Sequence, residues 1–585
     1  MDRQVNRIKI KKLYSDSDIF TPIVFHDGVN IILGEKSDSK TVRGRKTNGV
    51  GKSLSIEFLN FCLLKKYTDS RLKLIPNDVL NENTNIKLDL EIGQNELTIN
   101  RNIKNHEKPH LEINEKKIMF ENLEDAQIYL KDLVFVNLES AVVPSFRSLI
   151  SPIIRDERSE FKNILECFDV TKKIPVDVAP HLFFLNISLE AYKNTQTTVK
   201  KIEEIKTVAK NAKKAVTDGN QKKISEVKAE LNSLDDELYK MNEAIESFKS
   251  NEAFNSIEKD LVRLEDLLDT LRKKQKGIRY EYNKIKNLPR PEKIENEEIE
   301  IIYNQFKEGL GDLIVKSLEE AIGFKSKVEE FQRTLINQKA AELHEQLDSI
   351  TDDIRKLDDQ YSEKIKVVDQ KGVLKNLKVS LGIFNQKSNE FSNRKASYEE
   401  YEAAEKEKKT LYLRKSKEIL ELDSIIEDNN KILNSFLYTL LKIHEFLMGN
   451  KECSFSIDTI NKKTAKKTVE IDMRIFDDGS HSVDRTKVFI YDIALIFNQY
   501  TRKRHPCFLV HDNIFDVDQD TLVQSLNFLG EQETNYLDFQ YILTLNRDKV
   551  ENEEDLNIIK LDLESHKVAS FTKENKFLKQ DYQEK

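Results

Sequence analysis

The chain is 585 residues long and 34% charged, with no tryptophan, 16 glycines and 10 prolines, a composition of long solvated helices more than of several compact cores. Its net charge of −8 excludes a global attraction to nucleic acid, so any DNA contact requires a local basic patch. Cys62, Cys167, Cys453 and Cys507 are far apart and form no C-x-x-C pair, which argues against a disulfide framework or zinc ribbon; with no signal-peptide core and no run of eighteen apolar residues, the chain is expected to be cytoplasmic, with no membrane partner.

Strand-like segments open the chain at residues 8–10 and 29–34 and recur at 86–92 and 96–99. A polar insert, 35–47, separates the second of these from Asn48-Gly49-Val50-Gly51-Lys52-Ser53. That hexapeptide is the closing half of a phosphate loop. Its glycines let backbone N–H groups turn toward phosphate oxygens, Lys52 would reach the β/γ-phosphates of ATP, Ser53 would ligate Mg²⁺, and the helix expected from Leu54 onward would present its positive end. The full G-x-x-x-x-G-K-[ST] pattern fails at its first glycine, where Lys46 stands, and Gly34 is the candidate displaced partner.

Prolines vanish between Pro180 and Pro289 and again between Pro291 and Pro506, leaving room for long helices. Ile224, Val227, Leu231, Leu234, Leu238, Met241, Ile245 and Phe248 alternate spacings of three and four, a coiled-coil seam. After a phase slip the seam resumes at Phe254, Ile257, Leu261, Leu264, Leu268 and Leu271, and a second set follows at Leu343, Leu347, Ile350, Ile354, Leu357 and Tyr361. The prolines and glycines between the two sets, Pro289 to Gly311, predict the turn of an antiparallel hairpin, with a bend at Gly372 or Gly382; a compact helical bundle is the alternative. Charge runs such as Lys200-Lys201-Ile202-Glu203-Glu204 read as solvated helix faces.

Strand character returns at 468–475 and at Cys507-Phe508-Leu509-Val510-His511-Asp512. The latter is a buried-strand run ending in an aspartate, the arrangement that holds Mg²⁺ opposite a phosphate loop and that resembles a Walker B strand. His511 and His505 lack spaced partners and read as structural. The expected organisation is an α/β head made of 1–185 and 446–585, an outgoing arm at 186–287, an apex at 288–325 and a returning arm at 326–445.

With these motifs in place, the chain resembles the structural-maintenance-of-chromosomes class of ABC-type coiled-coil ATPases, related to RecN and RecF. Within it the chain is most similar to a bacterial group that includes YydD-like proteins, by Pro144-Ser145-Phe146-Arg147-Ser148-Leu149-Ile150, His511-Asp512 before Asn513, and Thr544-Leu545-Asn546. The resemblance implies an ABC-type head whose phosphate site uses Asn48, Gly49, Val50, Gly51, Lys52 and Ser53, with Ser53 and Asp512 as metal residues. It implies a signature-like loop at Ser482 serving a second copy, although the usual S-G-G run reads Ser482-Val483-Asp484-Arg485 here. Asn513 stands where a catalytic Glu usually follows, Asp516 and Asp518 fall near the D-loop position, and Asn546 takes the place of the switch histidine. A glutamine of the Q-loop is not visible, and 135–155 is its expected region. The cysteine hook of the DNA-repair members is absent.

The function so implied is a slow ATPase that couples head dimerisation to DNA engagement or to a separately encoded effector or accessory protein, in bacterial antiviral defence. A nucleotide-binding scaffold or sensor with little turnover is the alternative; a purely structural coiled coil would have no use for Lys52-Ser53 opposite Asp512.

Overall fold

The computed structural model describes residues 5–37, 47–135, 142–169, 175–249, 258–287, 318–368, 373–475, 479–552 and 557–584. Lys46, Phe254, Ile257, Gly372, the turn residues Asp477 and Asp478, and 288–317 of the expected apex lie outside them. The described chain divides into two units, one within 1–196 and 417–585 and one within 197–296 and 318–416.

The first unit draws on both chain ends. Its central parallel sheet runs β13 (Lys567–Phe571), β3 (Gly28–Gly34), β12 (Gln540–Asn546), β11 (Phe508–His511), β8 (Ile154–Arg155) in spatial order. Strands covered on both faces need continuous apolar runs, and β3 and β11 are buried at every position. Register aligns the ends that matter, with Asn546 opposite Gly34 and His511 opposite both Leu543 and Arg155.

A second sheet is antiparallel, ordered β2 (Ile23–Val24), β1 (Ile8–Ser15), β4 (Asn85–Ile92), β5 (Asn95–Asn102), β6 (His110–Ile113), β7 (Lys116–Met119). Here burial alternates, as in β4, where Ile86, Leu88, Leu90 and Ile92 face the core. Buried Gln540 joins the two sheets, accepting from Ile10 N–H at 2.8 Å and donating to the carbonyls of Ile10 at 2.8 Å and His26 at 2.9 Å. A hairpin of β9 (Cys453–Thr459) and β10 (Val469–Ile475) completes the strands. One continuous apolar core spans the sheets and the helices Lys52–Cys62, Asn430–Met448, His481–Phe497 and Gln519–Asn535.

The second unit is helical, with Glu258–Lys286 packed antiparallel to Leu318–Val368. Ion pairs fix that register at Asp260–Lys364, 2.5 Å, and Arg272–Asp358, 2.9 Å, and Gln275 donates to Thr351 at 2.8 Å. The helix Ile224–Lys249 instead takes Val373–Asp428, through Glu237–Lys387, Glu230–Arg394 and a cluster of Val227 and Leu231 with Phe391, Tyr398 and Tyr401. Heptad seams are self-similar, so which partner each takes is decided by charge pairs and large aromatics that spacing does not reveal. Ile245, Leu268 and Tyr361 share one cluster with Leu381 and Phe384, so four helices meet there. Gly382 lies inside the helix Val373–Asp428, with no break at that position.

Candidate functional site

The loop after the insert ends in Gly51, at φ 107°, which caps the helix Lys52–Cys62 without any side-chain hydrogen bond to the first turn. The first N–H groups of the helix therefore face outward without an internal acceptor, a concentration of positive potential. At the end of β3, a Cβ on Gly34 would stand 2.7 Å from the Thr47 carbonyl oxygen and 2.8 Å from Lys52 Nζ. A side chain there would push the Thr47 backbone away, which gives Gly34 a steric role in the loop although twelve residues separate it from Thr47.

Lys52 is 8% exposed. Its ammonium donates to the Thr47 carbonyl at 3.3 Å and to Asn546 Oδ1, while Asn546 Nδ2 donates to Asn48 Oδ1 at 2.9 Å. Burial pushes the lysine pKa down, and the carboxylates of Asp512, Asp548 and Glu157 oppose that shift. Asn546 is thus brought onto Lys52 by the β3–β12 register.

Asp512 ends β11 and is 1% exposed; its Oδ1 accepts from Ser53 Oγ at 3.1 Å and from Thr544 Oγ1 at 2.7 Å. Burial pushes its carboxyl up to about 6, against the two hydroxyl donors. Hydroxyl and carboxylate oxygens so placed are hard donors of the kind Mg²⁺ accepts, and the cleft beside them leaves room for phosphate oxygens and water to complete an octahedron. On the chemistry of its donors the site fits Mg²⁺ with a polyphosphate.

Asn513 adopts φ 63°, a left-handed conformation that Asn tolerates better than most residues. Its N–H donates to Thr544 Oγ1 at 2.9 Å, its carbonyl accepts from Arg485, and its Nδ2 donates to Glu157 Oε1 at 3.2 Å. Glu157 escaped the sequence reading. It follows a strand of two residues and sits in a single turn, Glu157–Ser159, with no motif around it; the only available signal was its position just beyond the 135–155 stretch.

Both Glu157 and Asn513 line a cleft of about 750 Å³, together with Asn48, Gly49, Val50, Gly51, Lys52, Ser53, Asp516 and Asn546. Asp516 pairs there with Lys549 at 3.0 Å. Two candidates are placed elsewhere. Ser482 donates to Asp518 Oδ2 at 3.1 Å and accepts from the Asp518 N–H at 3.2 Å, and neither residue lines the cleft.

His511, next to Asp512 in sequence, belongs to a buried charge network. Asp492, on the helix His481–Phe497, contacts Arg155 Nε at 2.6 Å and accepts from Arg155 Nη2 at 2.9 Å and from His511 Nε2 at 3.0 Å. His511 Nδ1 meets the Tyr541 hydroxyl at 3.0 Å, which gives that histidine a structural set of partners. No group of His, Cys, Asp and Glu among the described residues has metal-cluster geometry, and no helix among them is long and apolar enough to cross a membrane.

The family described as "Uncharacterised protein conserved in bacteria (DUF2326)" matches residues 437–582, the stretch that carries β9 to β13 and Asp512. No curated protein matches the chain. Among solved structures the chain is similar to the Smc head domain with a coiled coil and joint from Pyrococcus yayanosii, at 11% identity and a TM-score of 0.35, over 94% of each chain. It is also similar to the Smc head domain with an extended coiled coil, bound to the C-terminal domain of ScpA, from Pyrococcus furiosus, at 11% identity and a TM-score of 0.31, over 93% of this chain and 90% of that one.

Proposed function

We propose that the chain is an ABC-type, SMC-like ATPase that binds Mg²⁺-ATP in the cleft around Lys52 and hydrolyses it slowly. The observation that carries this reading is the hydrogen bond between Ser53, on the first turn of a helix whose N-terminus is uncapped by any side chain, and Asp512, at the end of another parallel strand of the same sheet. Lys52 exchanges its Thr47 and Asn546 partners for the β/γ-phosphates, and the amides of 49–53 hold the phosphate chain. Ser53 and Asp512 hold Mg²⁺, which when bound neutralises charge on the phosphates and makes the terminal one a better electrophile.

An amide cannot take a proton, so Asn513 orients the attacking water and Glu157, at 3.2 Å from its Nδ2, accepts the proton as general base. Ser482 lies off its own cleft, and in this reading it serves the nucleotide of a second copy in a head dimer. The turn between β9 and β10 carries Lys462, Lys463, Lys466 and Lys467, all exposed, and supplies the local basic patch that DNA engagement by an acidic chain requires. Membership of the YydD-like bacterial group, a separately encoded effector or accessory partner, and a role in defence complete the proposal.

Isothermal titration with Mg²⁺-ATP on wild type and Lys52→Ala tests it, with tight binding by the first and none by the second expected; equal binding by both would remove the phosphate-loop assignment. The second reading, a nucleotide-dependent scaffold or sensor, is favoured by one observation, the amide at Asn513. Binding without turnover, with or without DNA, would select it.

A further inference from the structure

Residues 572–584, after β13, return to the loop at Val50 and Gly51. Phe577 N–H donates to the Val50 carbonyl at 3.1 Å, and the Phe577 ring, 1% exposed, stacks on Phe20 at 4.6 Å and meets Phe58 edge-on at 5.2 Å. A Cβ on Gly51 would stand 2.5 Å from Phe577 Cβ, so the glycine that caps the helix is also the one that lets the tail sit against the loop. On either side of this anchor the tail lines the cleft, where Lys576, Tyr582 and Glu584 join Arg71. Arg71 pairs with Glu584 at 2.7 Å, which holds the end of the tail in place.

The cleft lining therefore offers two chemistries. Asn513 and Glu157, with Asp512 reached through Ser53, suit the terminal phosphate, whereas the tail offers a half-buried aromatic ring beside a guanidinium. A nucleotide whose phosphates lie on the Gly49–Ser53 amides has its sugar and base beyond the loop, and stacking on an aromatic face is how proteins hold a base without hydrogen-bond readout. We propose that the tail forms the nucleobase subsite, with Tyr582 stacking on the base. This inference rests on the phosphate-loop reading above, and its test separates the two.

The experiment is titration calorimetry with Mg²⁺-ATP and with Mg²⁺-tripolyphosphate, which has the same phosphate chain and no base, on the full chain. Wild type is expected to bind ATP more tightly than tripolyphosphate. Tyr582→Ala is expected to lose about 5- to 150-fold in ATP affinity with tripolyphosphate affinity unchanged, Tyr582→Phe to retain both, and Lys52→Ala to lose both ligands. Equal loss of the two ligands in Tyr582→Ala would make the tail a mere support for the loop and overturn the inference, as would unchanged ATP affinity. A wild type that binds both ligands equally would overturn the base subsite while leaving the phosphate loop standing. A wild type that binds neither would remove both.

Discussion

The two units of this chain bury their apolar residues in different ways. In the unit that carries the cleft, one core runs without interruption through both sheets and their helices; in the helical unit, buried residues fall into separate clusters such as Ile205 with Ala209 and Ala404, or Ile245 with Leu268 and Tyr361. A shared core makes distant segments cooperate, so the cleft can take Lys52 from one chain end and Asp512 from the other. Separate clusters confine damage, so a change in the coil is felt near its own helices and little elsewhere. Both arrangements join residues distant in sequence, but only the first joins them into one core.

The sharpest way to break this comparison is at the cleft itself. Glu157→Gln is expected to lower ATP turnover by about 100-fold or more while nucleotide affinity is kept, because the amide still accepts from Asn513 but cannot take a proton. Steady-state hydrolysis together with calorimetric affinity checks it, with Asp516→Asn and Asp518→Asn as controls expected to retain turnover. Loss in a control with Glu157→Gln unimpaired would move the general base to that residue.

A second test addresses the shared core. Asp492→Ala leaves Arg155 charged, buried and without its carboxylate, and His511 without one of its two partners, so a loss of about 3–5 kcal/mol is expected in denaturant unfolding of the cleft-bearing unit. A loss below about 1 kcal/mol would mean that the network adds little to that core.

The coil supplies the complementary test. Leu268 is 2% exposed, and Leu268→Ala is expected to cost about 2–4 kcal/mol within its own cluster. Hydrogen exchange should quicken in Glu258–Lys286 and Leu318–Val368 and stay unchanged in β3, β11 and β12. Quickened exchange in those strands would show that the helical unit and the cleft share one cooperative core after all.

The same contrast explains what sequence disclosed. Residues 29–34 and 508–511 had to be continuous apolar runs because both their faces are covered, and the glycines and Lys52-Ser53 had to stand together because one turn of backbone must present them. These were legible. Glu157 and Tyr582 reach the cleft from a single turn and from a tail, where no periodicity constrains neighbours, and only the folded register of β8 and the Phe577 anchor bring them in. Asp518 and Ser482 were drawn by proximity in sequence to Asp512 and to the signature position, yet they hydrogen-bond each other at the start of the helix Gln519–Asn535. In the coil, spacing disclosed the seams, whereas partner choice rested on pairs such as Glu237–Lys387 that no heptad count distinguishes.

The smallest expected effect tests whether Asp512 is held at a cost to the fold. Burial raises its carboxyl from 3.8 to about 6, the hydroxyls of Thr544 and Ser53 oppose the shift, and nearby Asp156 and Glu157 add to it. Between about pH 4 and pH 6 the folded chain therefore keeps a proton that the unfolded chain has released, so stability falls as pH rises through that window and the full penalty remains above it. Asp512→Asn preserves an oxygen for Ser53 and Thr544 to donate to, but it carries no charge and does not titrate. Its thermal midpoint is expected to exceed that of wild type at pH 7.5 and to converge on it toward pH 5. Mg²⁺-ATP should reverse the order at pH 7.5, since the ionised carboxylate that burdens the free protein is the group proposed to hold the metal. Midpoints for the two proteins that run parallel from pH 5 to pH 8 would show that Asp512 ionises at an ordinary pH and that its burial is not what poises it for the metal.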